Sequence, residues 1–101
     1  MKKIPLLTVT ISNHSVPDGF RLSYRNEFLQ LVETVPEGIK ISEMAALLGI
    51  VEKLNDLNSD SMILTDNEWT ILQDRLKAAK FTIVAPEIVA MVAAVENATE
   101  V

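Results

Sequence analysis

The chain has 101 residues, 49% of them apolar, with no cysteine and a net charge of −5 from 14 acidic and 9 basic side chains. That is one domain's length with enough apolar content for a single modest core, and it excludes a disulfide framework or a zinc–thiolate site. The acidic balance disfavours nucleic acid as the main partner, because a duplex-binding surface must neutralise phosphates with Lys and Arg.

The opening "MKKIPLLTVTIS" carries two lysines and a short apolar run. Thr8 and Thr10 interrupt that run and no small-residue cleavage pattern follows, so it reads as a strand and not as a signal peptide. From Leu6 to Ile11 the side chains alternate, with Leu7, Val9 and Ile11 on one face and Leu6, Thr8 and Thr10 on the other. Lys2 and Lys3 read as a solvated start. Pro17-Asp18-Gly19 is a turn signal, since proline presets φ and glycine accepts a positive φ. "FRLS" then gives a second short strand that points Phe20 and Leu22 inward.

A first helix is expected from about Tyr24 to Val35, with Phe28, Leu31, Val32 and Val35 in an i, i+3, i+4, i+7 stripe and "PEG" ending it. A second starts after Ser42 as N-cap and buries Met44, Leu47, Leu48, Val51 and Leu54. Gly49 lies in the middle of it, as a costly mid-helix residue or as a turn. Thr65-Asp66-Asn67-Glu68 is a capping box that opens a third helix, whose core face is Trp69, Leu72, Leu76 and Ala79. Leu64 and Trp69 stand where a hydrophobic staple would. Arg75, Lys77 and Lys80 suit the negative end of its dipole. "FTIV" at 81–84 is a short strand or an extended connector. Pro86 at a first helical position opens a last helix to about Ala98, and "NATEV" should fray.

These elements make an α+β domain: one unit over 1–101, β-rich to residue 23 and helical over 24–98, with about four helices and a small antiparallel β element. A winged-helix-like arrangement is one form of it. No segment approaches the ~20 apolar residues of a bilayer span, so no membrane is expected as a partner.

Three constellations carry candidate chemistry. In "DLNSDSMILTDNE" Asp56, Asn58 and Asp60 alternate like the first oxygen ligands of an EF-hand, and Ile63 occupies its apolar position. That loop needs glycine at position 6 and a bidentate glutamate at position 12. Here those are Ser61 and Asn67, while Thr65 and Glu68 belong to the capping box, so the segment reads as a connector and no metal or cofactor is expected. His14 is a lone histidine with no second ligand of its kind, and no G-x-S-x-G, P-loop or G-x-G-x-x-G occurs, so an enzyme is not expected. Asn13 and Asn97 open Asn-x-Ser/Thr triplets, which without secretion are coincidences.

"GIKISEMAALLGI" has the texture of the first half of a helix-turn-helix with its turn at Leu48-Gly49-Ile50, and "MILT" and "FTIV" could supply wings. The helix entering the groove would be "IVEKLNDLNSD". It presents Glu52, Asn55, Asp56 and Asp60 against a single Lys53, which repels phosphates. A DNA-binding transcriptional regulator is therefore the second reading.

The first reading is protein–protein interaction. The last helix is apolar on every side from Ile88 to Val95, so it is either deeply buried or covered by a partner. Ile88, Val89, Met91, Val92 and Val95 are the contact candidates, with Trp69 as an aromatic anchor. A second copy or another protein would complete the burial.

Tyr24-Arg25 opening a helix, Ile41-Ser42-Glu43-Met44, Leu64-Thr65-x-x-Glu68-Trp69-x-x-Leu72 and an apolar helix after "KFTIVAPEI" together resemble small acidic proteins of tailed bacteriophages and prophages of Gram-negative bacteria. The likeness covers residues 23–95. It implies a phage context in the bacterial host cytoplasm, where such domains bind proteins as virion components, assembly factors or host-directed inhibitors. It supplies no catalytic or binding residues.

Overall fold

A computed structural model describes residues 1–13, 16–17, 19–34 and 38–101. Five short strands, β1 (Lys2–Pro5), β2 (Thr8–Thr10), β3 (Arg21–Ser23), β4 (Ser61–Leu64) and β5 (Thr99–Glu100), combine with four helices, α1 (Tyr24–Glu33), α2 (Ile41–Leu54), α3 (Asp66–Ala78) and α4 (Pro86–Glu96). The fold is α+β.

The strands form two antiparallel sheets, β4-β1-β5 and β2-β3. The opening segment read as one strand thus holds two strands in different sheets, and of the alternating run Leu6–Ile11 only Thr8–Thr10 is strand. Pro5 is the last residue of β1 and has no N–H with which to extend the ladder. Leu6 N–H still donates to the Asp60 carbonyl at 2.8 Å, but the Leu7 carbonyl accepts from Tyr24 N–H at 2.9 Å. The chain therefore changes partner between Leu6 and Leu7. Val9 pairs with Leu22, and Val9, Ile11 and Leu22 turn inward while Leu7 and Phe20 stay exposed. Phe20 lies just outside β3, beyond the turn that its N–H closes on the Pro17 carbonyl at 3.1 Å. Gly19 takes φ +79 in that turn, as its glycine signal required.

In the three-stranded sheet Ile4 faces Met62 and Lys3 faces Ile63 across the ladder. Ile4, Met62 and Leu64 are buried on one face and Ile63 is exposed on the other, the period-2 pattern of a half-buried sheet. Thr99 and Glu100 pair with Lys3 and Lys2, so the tail expected to fray is an edge strand. Lys2 is not simply solvated. Its ammonium reaches Glu100 at 2.8 Å and lies 4.7 Å above the Trp69 ring.

α1 begins where expected, with Ser23 Oγ accepting from Asn26 N–H at 3.3 Å. Tyr24, Phe28 and Val32 are its buried residues; Val35, Pro36 and Glu37 lie outside the described residues. α2 starts two residues, about half a turn, earlier than the Ser42 cap predicts. Lys40 is its N-cap and offers no side-chain bond. α3 carries the expected capping box in full: Glu68 N–H donates to Thr65 Oγ1 at 3.2 Å and Thr65 N–H donates to Glu68 Oε1 at 2.9 Å. Pro86 opens α4. Residues 81–84 are not a strand.

One core joins all of these. Ile4, Phe28, Ile50, Leu54, Leu64, Leu72, Met91 and Val95 are its fully buried large side chains, drawn from two strands and all four helices. Each stabilises the fold by roughly 1.5–3 kcal/mol through apolar burial.

Candidate functional site

The contact residues expected on α4 separate into two groups. Met91 and Val95 are fully buried in the core, and Ile88 and Val92 are half-buried against it. Only Val89, at 70% exposure, stands clear of the fold. Trp69 is a fastened residue: its indole N–H donates to the Val95 carbonyl at 2.8 Å, and Lys2 covers its ring. An indole whose donor is satisfied and whose face carries a cation is joining α3 to α4 and β1. Met91 and Val95 thus take the buried alternative, and α4 is a core helix with one exposed edge.

The unpartnered surface lies on α2. Leu47, Ile50 and Leu54 are buried, whereas Ile41 (79%), Met44 (42%) and Leu48 (56%) are exposed. Ile41, Met44, Ala45 and Leu48 are spaced i, i+3, i+4, i+7, so they share one face of the helix. Ala45 is exposed as well. The sequence reading placed Met44 and Leu48 in the core. The helix in fact has two apolar stripes, and the fold covers only the one carrying Leu47, Ile50 and Leu54. A count of apolar positions could have found the second stripe, since Ile41, Met44, Leu47, Leu48, Ile50, Val51 and Leu54 are more than one face can hold.

α2 runs unbroken through Gly49, so the turn required by the helix-turn-helix reading is absent and Ile50–Leu54 is no separate recognition helix. The reason for a glycine here is steric. A Cβ at position 49 would sit 2.6 Å from Glu68 Oε2. Glu68 is 7% exposed, the one charged side chain buried among the described residues. Its Oε1 accepts from Lys53 Nζ at 2.5 Å and from Thr65 N–H. Burial pushes the Glu68 carboxyl up, but the Lys53 ammonium and the Thr65 donors outweigh it and hold it below the ordinary range. The side chain therefore caps α3, ties α3 to α2, and stays charged.

The "DLNSD" connector is organised by its own turn and by Arg25. Asp56 Oδ1 accepts from Asn58 N–H at 3.2 Å. Arg25 donates to the carbonyls of Leu54 and Ser59, closing the C-terminal end of α2. Among the described residues no three His, Cys, Asp or Glu side chains are grouped to hold a metal ion. His14 lies outside the described residues.

Two shallow clefts flank α3, of about 720 and 530 Å³. Arg75 lines both, and its guanidinium is committed: Nε donates to the Leu31 carbonyl at 3.1 Å and a terminal nitrogen to the Thr34 carbonyl at 2.5 Å. It thus satisfies carbonyls left open at the end of α1. Glu27, in the wall of the larger cleft, has its carboxyl pushed up by burial. Thr34 and Lys80 also line the larger cleft, and Ser42, Glu43 and Asp74 line the smaller.

No helix among the described residues is long and apolar enough to cross a membrane. Comparison with protein-family models, curated proteins and solved structures gives no match.

Proposed function

We propose that this domain is a non-enzymatic protein-interaction module, acting in a bacteriophage context in the host cytoplasm, and that α2 carries its contact surface. The observation that supports this reading is the exposed Ile41–Met44–Ala45–Leu48 face on an otherwise well-covered core. An apolar helix stripe left in water costs solvation free energy that burial against a partner recovers, and helix faces read as i, i+3, i+4, i+7 anchors are a recurrent recognition mode. Val89 on α4, with Ile88 and Val92 behind it, is a second and smaller contact point. The phage context rests on the resemblance carried by Tyr24-Arg25, Ile41–Met44 and Leu64–Leu72.

The test is an affinity capture from nuclease-treated bacterial lysate together with a mass measurement of the bait, made on the wild-type chain and on Leu48→Glu. The reading expects a stoichiometric partner or a defined oligomer that Leu48→Glu removes while the domain stays folded. A wild-type chain that is monomeric and captures nothing, or assemblies indifferent to Leu48→Glu, would overturn it.

A further inference from the structure

The α2 stripe has charges at its two ends. Lys40 immediately precedes Ile41, and Glu52 stands one turn beyond Leu48 on the same line. Both are exposed, and neither forms an ion pair among the described residues, whose pairs are those of Lys2, Lys53 and the Met1 amine. Taken along the helix axis, with the N-cap residue Lys40 beside the stripe at its start, the order is positive, apolar, small, apolar, negative. A pattern of that kind is complementary to itself when reversed.

Reversal is what a two-fold axis perpendicular to a helix produces, since an isologous contact sets residue i against j and j against i. If Ala45 is set against Leu48, their numbers sum to 93, and the same sum sets Ile41 against Glu52. Lys40 then falls within one residue, about 1.5 Å of rise, of the level of Glu52 in the other copy. Ala45, the small residue near the centre, lets the two backbones approach while Leu48 fills the space above it. A parallel pairing would stack Lys40 on Lys40 and Glu52 on Glu52, which like-charge repulsion opposes.

We propose that a second copy of this chain covers the exposed face of α2. The two helices pair antiparallel about a two-fold axis, with Ala45 of each against Leu48 of the other and Lys40 of each within one residue of the level of Glu52 of the other. The inference rests on the interaction reading and names its partner. One helix face of this length, roughly 16 Å, is smaller than a standard stable interface, so pairing in the micromolar range is expected.

The experiment is sedimentation equilibrium at concentrations from roughly 1 to 500 μM, a range that brackets such an affinity. Five proteins are compared: wild type, Leu48→Glu, the single changes Lys40→Glu and Glu52→Lys, and the double change. The wild type should dimerise and Leu48→Glu should stay monomeric with an unchanged circular-dichroism melt. Ile41→Glu serves the same purpose should Leu48→Glu fail to fold. Each single charge reversal should weaken dimerisation by roughly 3–10-fold, because each substitution is counted twice across the axis and rim ion pairs are modest. The double reversal should restore it.

A wild-type chain monomeric at the highest concentration overturns the proposal, as does a dimer that survives both Leu48→Glu and Ile41→Glu. Failure of the double reversal to rescue overturns the antiparallel alignment. A monomer that nevertheless captures a lysate protein, or binds anionic vesicles, through Leu48 overturns self-pairing and assigns the stripe to that occupant. In the lysate-protein case the interaction reading stands; a monomer that captures nothing brings both down.

Discussion

At residue scale the most informative position is Gly49. Replacing an exposed mid-helix glycine by alanine ordinarily gains up to ~1 kcal/mol, but the new Cβ here meets Glu68 Oε2. That oxygen could swing away only by disturbing Oε1, which Lys53 and Thr65 hold. Gly49→Ala should therefore fail to stabilise the wild type yet stabilise a Glu68→Ala background. A double-mutant cycle in urea is expected to return a coupling of about 1 kcal/mol or more, and additive effects would show that the contact is not made. Lys53→Met should cost roughly 1–2 kcal/mol at neutral pH, discounted because the lysine is partly exposed, by leaving the Glu68 carboxylate without its cation. The pH dependence follows from the depressed Glu68 pKa. Its contribution is fully present above the unfolded carboxylate value, near 4.3, and is lost as pH falls through the lower folded value. The Lys53→Met deficit should accordingly be largest near neutrality and shrink on acidification. Glu27 has the opposite sign. Its folded carboxyl is raised by burial, so it opposes folding above that pKa, and Glu27→Gln should raise the melting temperature at pH 7 but not at pH 4.

At element scale the start signals of α3 and α4 are local chemistry and were legible, whereas the Ser42 cap read for α2 gave way to Lys40 and the Ser23 cap of α1 was not named in advance. Ser23 and Thr65 cap α1 and α3 as their neighbours require, and Pro86 starts α4. Thr65→Ala should cost about 1 kcal/mol, measurable by denaturant unfolding. Face assignment was less legible. α4 carries apolar residues all round, and burial tells them apart: Met91→Ala should cost ~2–5 kcal/mol because it opens a cavity, whereas Val89→Ala should stay within about 0.5 kcal/mol. Equal costs would mean that Val89 is covered in the isolated chain. On α2 the two stripes are chemically alike, and periodicity gives no means of choosing between Leu47 and Leu48.

At the scale of the whole molecule the fold is held by connections between distant segments. Trp69 joins α3 to the end of α4, Arg75 closes α1 from α3, and Arg25 closes α2 from α1. β1 occupies the centre of a sheet whose other strands come from the middle and the end of the chain. Arg75→Met should therefore destabilise through α1, and hydrogen exchange should show the loss at the C-terminal turn of α1 more than within α3. The acidic net charge and the exposed α2 stripe are properties of this whole. On the proposed reading, the stripe is the apolar surface that a partner covers.

The sequence by itself determined the class of the fold, the positions of the four helices, three of their starts and the turn at Gly19. Each of these is decided within a few residues, by a cap, a fixed φ or an alternation of side chains. Only the tertiary structure decided that Lys2–Pro5 and Thr8–Thr10 belong to different sheets, that Thr99–Glu100 closes an edge, and that Glu68 is buried beneath Gly49. It also decided which stripe of α2 remains outside. Those outcomes depend on which segment arrives as a neighbour, and a neighbour brought in by the rest of the fold leaves no local mark in the chain.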